Sequence, residues 1–255
     1  LSDFYKSDFG APKIALVAHA PTRLLRTDAH TLRLVEREEQ RDPENARREF
    51  GAEFMSGGSA QFFDAAAIDA CIADDVPFPV APKQGQRAFA GGDFAFRSDS
   101  SAICLAAWRA STLTVLGLAE ERPQKGAPLT PSAVVDGFAR EMKTYGATSL
   151  MTDSHYVEAI REHLSRNKMS LTAAPEGASG KAVTYLHLKK LIAERRIALP
   201  NHPRLRAQLL AVVSKPAEGG GLRISSPRRG GHGDLVSALV LSAWAAGSGE
   251  PTPFI

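Results

Sequence analysis

The fold of this 255-residue chain is constrained most strongly by a short stretch near its middle, residues 87–101 (RAFAGGDFAFRSDSS). Small and aromatic residues predict a strand over 87–96, turn residues follow at 97–100, and a second apolar strand begins at Ala102. Asp93 lies inside the first strand, where aspartate is unfavourable. Gly91 and Gly92 leave room before it for a backbone, a metal or a ligand. The stretch predicts a strand that delivers a carboxylate to a sheet edge; the alternative is a surface strand with an incidental aspartate.

The pattern of the remaining chain predicts a mixed α/β fold. Predicted strands occupy residues 87–96, 102–110, 112–119 and 148–152, and predicted helices occupy 130–145, 156–167, 181–195, 202–213 and 235–246. The first three strands follow one another closely and are expected to pair antiparallel, whereas later strands alternate with helices. We therefore expect a mixed sheet, three antiparallel strands followed by parallel strands, flanked by helices.

Two further acids repeat the arrangement of Asp93. Asp153 follows the short apolar strand SLMT, and Asp234 opens the last helix, where the helix dipole favours an acid. Ligands of open α/β sheets gather at the carboxyl ends of the strands, and three carboxylates there repel one another unless cations neutralise them. Oxygen-only ligands favour Mg²⁺ or Mn²⁺, and two such ions can activate a water and stabilise the leaving oxygen in phosphodiester cleavage. Taken singly, Asp153 and Asp234 are equally consistent with ordinary helix caps.

The formal net charge of +3 conceals an uneven distribution. Residues 181–230 contain eleven basic and two acidic side chains, a net charge of +9, which leaves −6 for the rest of the chain. A basic segment beside an acidic cluster suits a nuclease, because cations hold the phosphate backbone while carboxylates hold a metal. Lys181, Arg228 and Arg229 are the candidate DNA contacts. The alternative is a solvated helical face.

Three other side chains are secondary candidates for the acidic site. Asp99 lies in the turn after the first strand, where turn capping is the common role. His155 lies two residues after Asp153, where an exposed histidine at a helix start is the common role and an approach to a scissile phosphate is the alternative. His232 is expected to shape the loop before the last helix rather than to bind metal.

Other functional classes receive less support. Cys71 and Cys104 are far apart and lack a CxxC spacing, which indicates small buried side chains in a reducing compartment rather than a zinc site. No apolar run is long enough to span a bilayer, and the first residues have no signal-peptide pattern. The chain begins with Leu1 rather than Met, which suggests a fragment or a processed piece.

The order of three motifs carries a resemblance to a known family. GGDFAFRSDSSA, then SLMTDSHYVEAI, then GGHGDLVSALVLSAW resembles the nuclease domain of the large terminase subunit of tailed bacteriophages. The first motif matches the family's Gly-x-Asp-x-Ala strand from Gly91 to Ala95. The family's last motif is usually His-Asp-Asp before an apolar helix. Here Gly233 replaces the middle acid, and Asp234 matches the remaining one.

The resemblance implies an RNase H-like endonuclease that cuts double-stranded DNA during phage genome packaging in the cytoplasm of the bacterial host. It implies two Mg²⁺ or Mn²⁺ ions held by Asp93, Asp153 and Asp234, and as partners the ATPase motor half of the same protein, the small terminase subunit and the portal.

No Walker A motif is present in this sequence. The only Gly-Lys pair, Gly180-Lys181, is followed by alanine and has Pro175 where the first glycine of the motif should stand. We therefore expect residues 1–60 to be a linker remnant of the motor half and residues 61–255 to be the nuclease domain, without ATPase activity.

Two alternatives stay open from the sequence. The chain could be another RNase H-like nuclease, such as a Holliday-junction resolvase, which would prefer branched DNA. It could also be a non-catalytic module that docks on DNA or on the portal and keeps a degenerate acidic site.

Overall fold

The computed structural model describes residues 8–10, 18–41, 43–52, 60–97, 99–124, 127–153, 156–216, 221–225 and 233–247. The chain divides into two compact units, Leu1–Ala60 and Gln61–Ile255. The first unit contains the helices α1 (Thr22–Leu25), α2 (Ala29–Arg41) and α3 (Pro43–Glu49). The Asp28 carboxylate accepts a hydrogen bond from the Thr31 N–H at 2.9 Å, which satisfies a free donor at the start of α2.

The second unit is built on a six-stranded mixed sheet. After the two-residue strand β1 (Ala60–Gln61), its strands are β2 (Phe89–Asp93), β3 (Ser101–Arg109), β4 (Thr112–Glu121), β5 (Ser149–Thr152), β6 (Ser170–Ala173) and β7 (Ile197–Ala198). The spatial order is β6-β5-β2-β3-β4-β7. Strands β2, β3 and β4 pair antiparallel, whereas β5, β6 and β7 each pair parallel with a neighbour. The predicted fold class, three antiparallel strands followed by parallel ones, is confirmed.

Helices cover both faces of this sheet. They are α4 (Ala65–Asp69), α5 (Pro131–Thr144), α6 (Val157–Arg166), α7 (Gly177–Ala193), α8 (Pro203–Ala211) and α9 (Asp234–Gly247), with an antiparallel pair, β8 (Val213–Pro216) and β9 (Leu222–Ser225), before α9. Within the described residues, no helix is both long and apolar enough to cross a membrane.

The alternation of side chains along β3 shows how the layers are held together. Cys104 and its neighbours two residues away on the same face belong to the apolar cluster formed with α7 and α9. Leu105 and the opposite face belong to a second cluster with α5 and α6. Because successive strand residues point to opposite faces, one buried strand serves two cores. Cys71 and Cys104 are buried and carry free thiols, as the sequence predicted.

Helix α7 begins earlier than the sequence predicted. The helix was expected from Lys181, with the Gly/Ser segment before it as a loop, but it starts at Gly177. Glycine disfavours helix formation by about 1 kcal/mol relative to alanine, which made this segment look like a loop. A Cβ atom at Gly180 would overlap the backbone of Pro175, so the close contact at the start of α7 requires glycine there. Lys181 therefore lies in the second turn of a formed helix.

Candidate active site

The parallel pairing of β2 with β5 brings two of the predicted acids side by side. Gly92 is paired with Thr152. Asp93 is the last residue of β2, and Asp153 directly follows β5. Both carboxylates therefore lie at the carboxyl ends of neighbouring parallel strands, where ligand sites of such sheets form.

Helix α9 brings the third acid to the same edge. The helix packs so closely on β2 that a Cβ atom at Gly91 would overlap the backbone of Ala238 and Ser242 and come within 2.7 Å of the carbonyl carbon of Leu241. The Ser242 hydroxyl donates a hydrogen bond of 2.9 Å to the Phe89 carbonyl. Asp234 is the first residue of α9 and is buried. The glycine in the strand is thus what allows a carboxylate of the helix to approach a carboxylate of the strand.

The first turn of α9 is held by a side chain from α8. The buried Gln208 accepts hydrogen bonds at its Oε1 atom from the N–H groups of Leu235 at 3.0 Å and Val236 at 3.2 Å. Two donors that have no partner within a helix are thereby satisfied. This cap fixes the turn that carries Asp234.

The carboxyl group of Asp93 interacts electrostatically with those of the other two acids. Burial of its carboxyl group, and then the like charges of Asp153 and Asp234, raise the pKa of Asp93 to about 7. A hydrogen bond with Ser237 and the charge of Lys181 act in the opposite direction. The electrostatic coupling shows that the three predicted acids share one neighbourhood.

A cavity of about 270 Å³ opens beside Asp93 and Asp153, whereas Asp234 is not among the described residues that line it. Its polar lining consists of Asp93, Asp153, Glu176, Lys181, Thr184, Tyr185 and Ser237. A larger cavity of about 500 Å³ lies at the opposite ends of β5 and β6, and the described residues that line it, Lys143, 146–148 and 166–169, include no carboxylate. The smaller cavity is therefore the candidate active site.

The donor set suits a hard divalent cation, although the described side chains are not gathered into a finished metal site. Within the described part of the chain, no group of three or more His, Cys, Asp or Glu side chains is arranged to hold a metal ion. The oxygen-only donors and the mutual repulsion that raises the Asp93 pKa are nevertheless what a bound Mg²⁺ or Mn²⁺ would require and relieve. The residues present thus fit such an ion in chemistry and in charge.

The structure places some of the remaining candidates and not others. Lys181 lines the cavity, and its Nζ atom lies 5.6 Å from the centre of the Tyr185 ring. Asp99 is half-buried in the turn after β2 and is not among the described residues that line the cavity. Residues His155, Arg228, Arg229 and His232 lie outside the described residues.

Four polar residues of the cavity lining were not predicted from the sequence: Glu176, Thr184, Tyr185 and Ser237. Ser237 lies three residues after Asp234, and Tyr185 lies four residues after Lys181, so helical spacing could have indicated both. Glu176 precedes the first residue of α7, in a segment predicted to be a loop, and no local signal in the sequence marks it.

Comparisons with known proteins address the fold. No family model matches the chain, and no curated protein matches it. Among solved structures, the large terminase of bacteriophage HK97 superimposes with a TM-score of 0.63 at 18% identity, over 96% of this chain and 59% of that one. The large terminase nuclease of thermophilic phage G20c with bound magnesium superimposes with a TM-score of 0.60 at 20% identity, over 74% of this chain and 98% of that one.

The chain has the fold of a phage large-terminase nuclease domain. The nuclease domain of the large terminase from Thermus phage P74-26 agrees, with a TM-score of 0.57 at 20% identity over 70% of this chain and 92% of that one. This is the RNase H-like fold that the motifs implied. At these identities the likeness is one of fold, and the chain spans only 59% of the length of the HK97 large terminase.

Proposed function

We propose that this chain is the nuclease part of a phage large terminase, a metal-dependent endonuclease that cuts double-stranded DNA during genome packaging. The observation that carries the proposal is the juxtaposition of Asp93 and Asp153 at the ends of paired parallel strands, with Asp234 close enough to perturb Asp93. The shared fold with terminase nucleases supports the reaction class. Asp93 and Asp153 also lie at the carboxyl ends of parallel strands, where ligand sites of α/β sheets form.

In this proposal Asp93, Asp153 and Asp234 hold Mg²⁺ or Mn²⁺. The G20c nuclease has been crystallised with magnesium, with cobalt and with zinc, which supports a divalent cation here. Two such ions supply an activated water and stabilise the leaving oxygen of a phosphodiester. The protein contributes the fixed carboxylates, and Lys181 offers a positive charge at the same cavity for a phosphate oxygen.

The DNA contacts proposed are Lys181, Arg228 and Arg229. Other cations of the basic segment serve the fold: Arg204 pairs with Glu120 at 2.7 Å, and Arg206 pairs with Asp69 at 2.7 Å. These pairings leave less of the segment's charge for the phosphate backbone. Lys181, which lines the cavity, is therefore a better candidate for a DNA contact than Arg204 or Arg206.

The proposed partners rest on the motif resemblance, and the likeness to the longer HK97 large terminase supports the first of them. They are an ATPase motor half, the small terminase subunit and the portal. We expect no ATP hydrolysis by this chain, because its sequence carries no Walker A motif.

Plasmid cleavage by the purified chain tests the proposal. We expect cutting with Mg²⁺ or Mn²⁺ and none with EDTA. Asp93→Asn, Asp153→Asn and Asp234→Asn should each lower the rate by about 100-fold or more, because a lost carboxylate removes a metal ligand. The control is Asp75→Asn, the same chemical change at an exposed aspartate away from the cavity.

Each other outcome has a distinct meaning. Full activity in all three site variants would refute the assignment of the acids. DNA binding without cutting under either metal would favour the docking module. A strong preference for branched over linear duplex DNA would favour a junction resolvase.

A further inference from the structure

Two hydroxyl groups in the candidate cavity form a chain that ends on Asp93. The phenol oxygen of Tyr185 lies 3.4 Å from the hydroxyl oxygen of Ser237, and Ser237 is hydrogen-bonded to the Asp93 side chain. A serine hydroxyl has one proton to donate, and an ionised carboxylate can only accept. When Asp93 is ionised, Ser237 therefore donates to Asp93, and the proton between the two hydroxyl groups comes from Tyr185.

The outer end of this chain is rigid. Tyr185 is only 3% exposed, and its ring packs against Phe62 and Phe63 with ring centres 6.2 and 6.5 Å away. The Lys181 ammonium lies over the same ring. Aromatic packing of this kind fixes the ring plane and hence the position of the phenol oxygen.

The inner end belongs to the turn of α9 that also carries Asp234. Ser237 lies one helical turn after Asp234, and its N–H donates to the Gly233 carbonyl at 2.8 Å. Asp93, in contrast, ends its strand, so pairing with Ala102 fixes its backbone but leaves its side-chain torsions free. A donor on α9 is the group that can hold the strand carboxylate and orient it towards the helix carboxylate.

We infer that Ser237 and Tyr185 are positioning residues that hold the Asp93 carboxylate in the orientation that binds the divalent cation. The inference rests on the proposed function, since it assigns a role around the same acids. Groups that hydrogen-bond to metal ligands orient those ligands, and their loss typically weakens metal affinity or activity by about 10- to 100-fold.

The test compares Ser237→Ala, Tyr185→Phe and the conservative Ser237→Thr in the full chain. Mn²⁺ affinity is measured by titration calorimetry, and kcat and KM are measured on plasmid DNA. We expect Ser237→Ala to weaken Mn²⁺ binding and to lower kcat by about 10-fold or more, with KM for DNA little changed. Tyr185→Phe should show a smaller loss of the same kind, and Ser237→Thr should restore most of both quantities because it keeps the hydroxyl.

A matched control is Thr144→Val. Thr144 lies at the end of α5, away from the cavity, and its hydroxyl donates to the Arg140 carbonyl of its own helix at 3.1 Å. Its loss should leave Mn²⁺ affinity and kcat unchanged. Thermal unfolding checks that each variant folds. If Ser237→Ala does not fold, Tyr185→Phe, which removes a single oxygen atom, carries the test.

The outcomes separate this inference from the proposed function. Wild-type Mn²⁺ affinity and kcat in the folded variants would overturn the positioning role and leave the nuclease proposal intact. A wild-type chain that binds Mn²⁺ without cutting DNA would refute the nuclease proposal, while a lower affinity in the variants would still support the positioning role. A wild-type chain that binds no Mn²⁺ would overturn both.

Discussion

The carboxyl group of Asp93 titrates near neutral pH because burial and the two neighbouring carboxylates raise its pKa from 3.8 to about 7. At pH values between 3.8 and about 7, the Asp93 carboxyl group has lost its proton in the unfolded chain but keeps it in the folded chain. The free energy of unfolding of the metal-free protein therefore falls as the pH rises through this range, and the loss is complete above about pH 7.

Asp93→Asn should for this reason stabilise the metal-free protein, and more so at higher pH. We expect a gain of roughly 2–4 kcal/mol in the free energy of unfolding at pH 8 and a clearly smaller gain at pH 5.5. The side chain keeps some exposure, which places the expected gain below the full effect of the shift. Urea denaturation in EDTA at the two pH values measures it, with Asp75→Asn as the control. Equal gains at both pH values would contradict the pKa assignment.

At the scale of single residues, the sequence predicted three acids that the structure brings near one another, but it did not predict the hydroxyl groups beside Asp93. Asp93 and Asp153 could be found because strand ends can be recognised from local composition. Helical spacing places Ser237 beside Asp234 and Tyr185 beside Lys181, but the contact between the two hydroxyl groups depends on which faces of α7 and α9 meet. That choice is made by packing, which local patterns do not encode.

The contact between α9 and β2 is the element-scale feature on which the site depends. Gly91→Ala would place a methyl group into the backbone of Ala238 and Ser242, which cannot rotate aside as a side chain could. We expect a loss of about 3 kcal/mol or more in the free energy of unfolding, together with loss of DNA cleavage, because α9 must move away from β2. Chemical denaturation and plasmid cleavage measure the two effects.

Gly137→Ala is the matched control for that variant. Gly137 lies inside α5, and the nearest atom to an added Cβ is the end of the flexible Arg140 side chain at 3.8 Å. Alanine should stabilise this helix by about 0.5–1 kcal/mol and leave cleavage unchanged. A similar destabilisation at both glycines would mean that the α9–β2 contact is not the cause.

Elements were predictable to different degrees for a physical reason. The strand order of β2, β3 and β4 followed from their short connections, which favour antiparallel neighbours. The packing orientation of α9 could not be predicted from its sequence, since buried residues surround the whole helix and leave no amphipathic stripe to orient it. The predicted start of α7 was wrong by four residues, because its glycines favour a loop locally but permit close packing in the fold.

At the scale of the whole molecule, the basic residues of the segment 181–230 have two different roles. Arg204 and Arg206 join α8 to β4 and α4 through ion pairs with Glu120 and Asp69. Lys181 instead lines the candidate cavity. Net charge in a sequence segment therefore overstates the charge presented to DNA, and only the fold separates the two uses.

The composition of the two apolar clusters bears on whether the second unit can fold without the first. Both clusters, as described, consist only of residues from Phe62 onward. A chain of roughly 195 residues is long enough to bury a core of its own. We therefore expect a fragment of residues 61–255 to unfold cooperatively, at a midpoint close to that of the full chain, and to retain metal-dependent cutting.

Circular dichroism and plasmid cleavage by the fragment and the full chain provide the measurement. Retained folding and cutting would support the prediction that residues 1–60 are a linker and residues 61–255 the nuclease. A folded fragment that binds Mn²⁺ but has lost cutting would instead give the first unit a part in holding DNA, since the acids, Ser237 and Tyr185 all lie beyond residue 61. A fragment that does not fold would make the first unit part of the folding unit, because neither apolar cluster would then suffice without it.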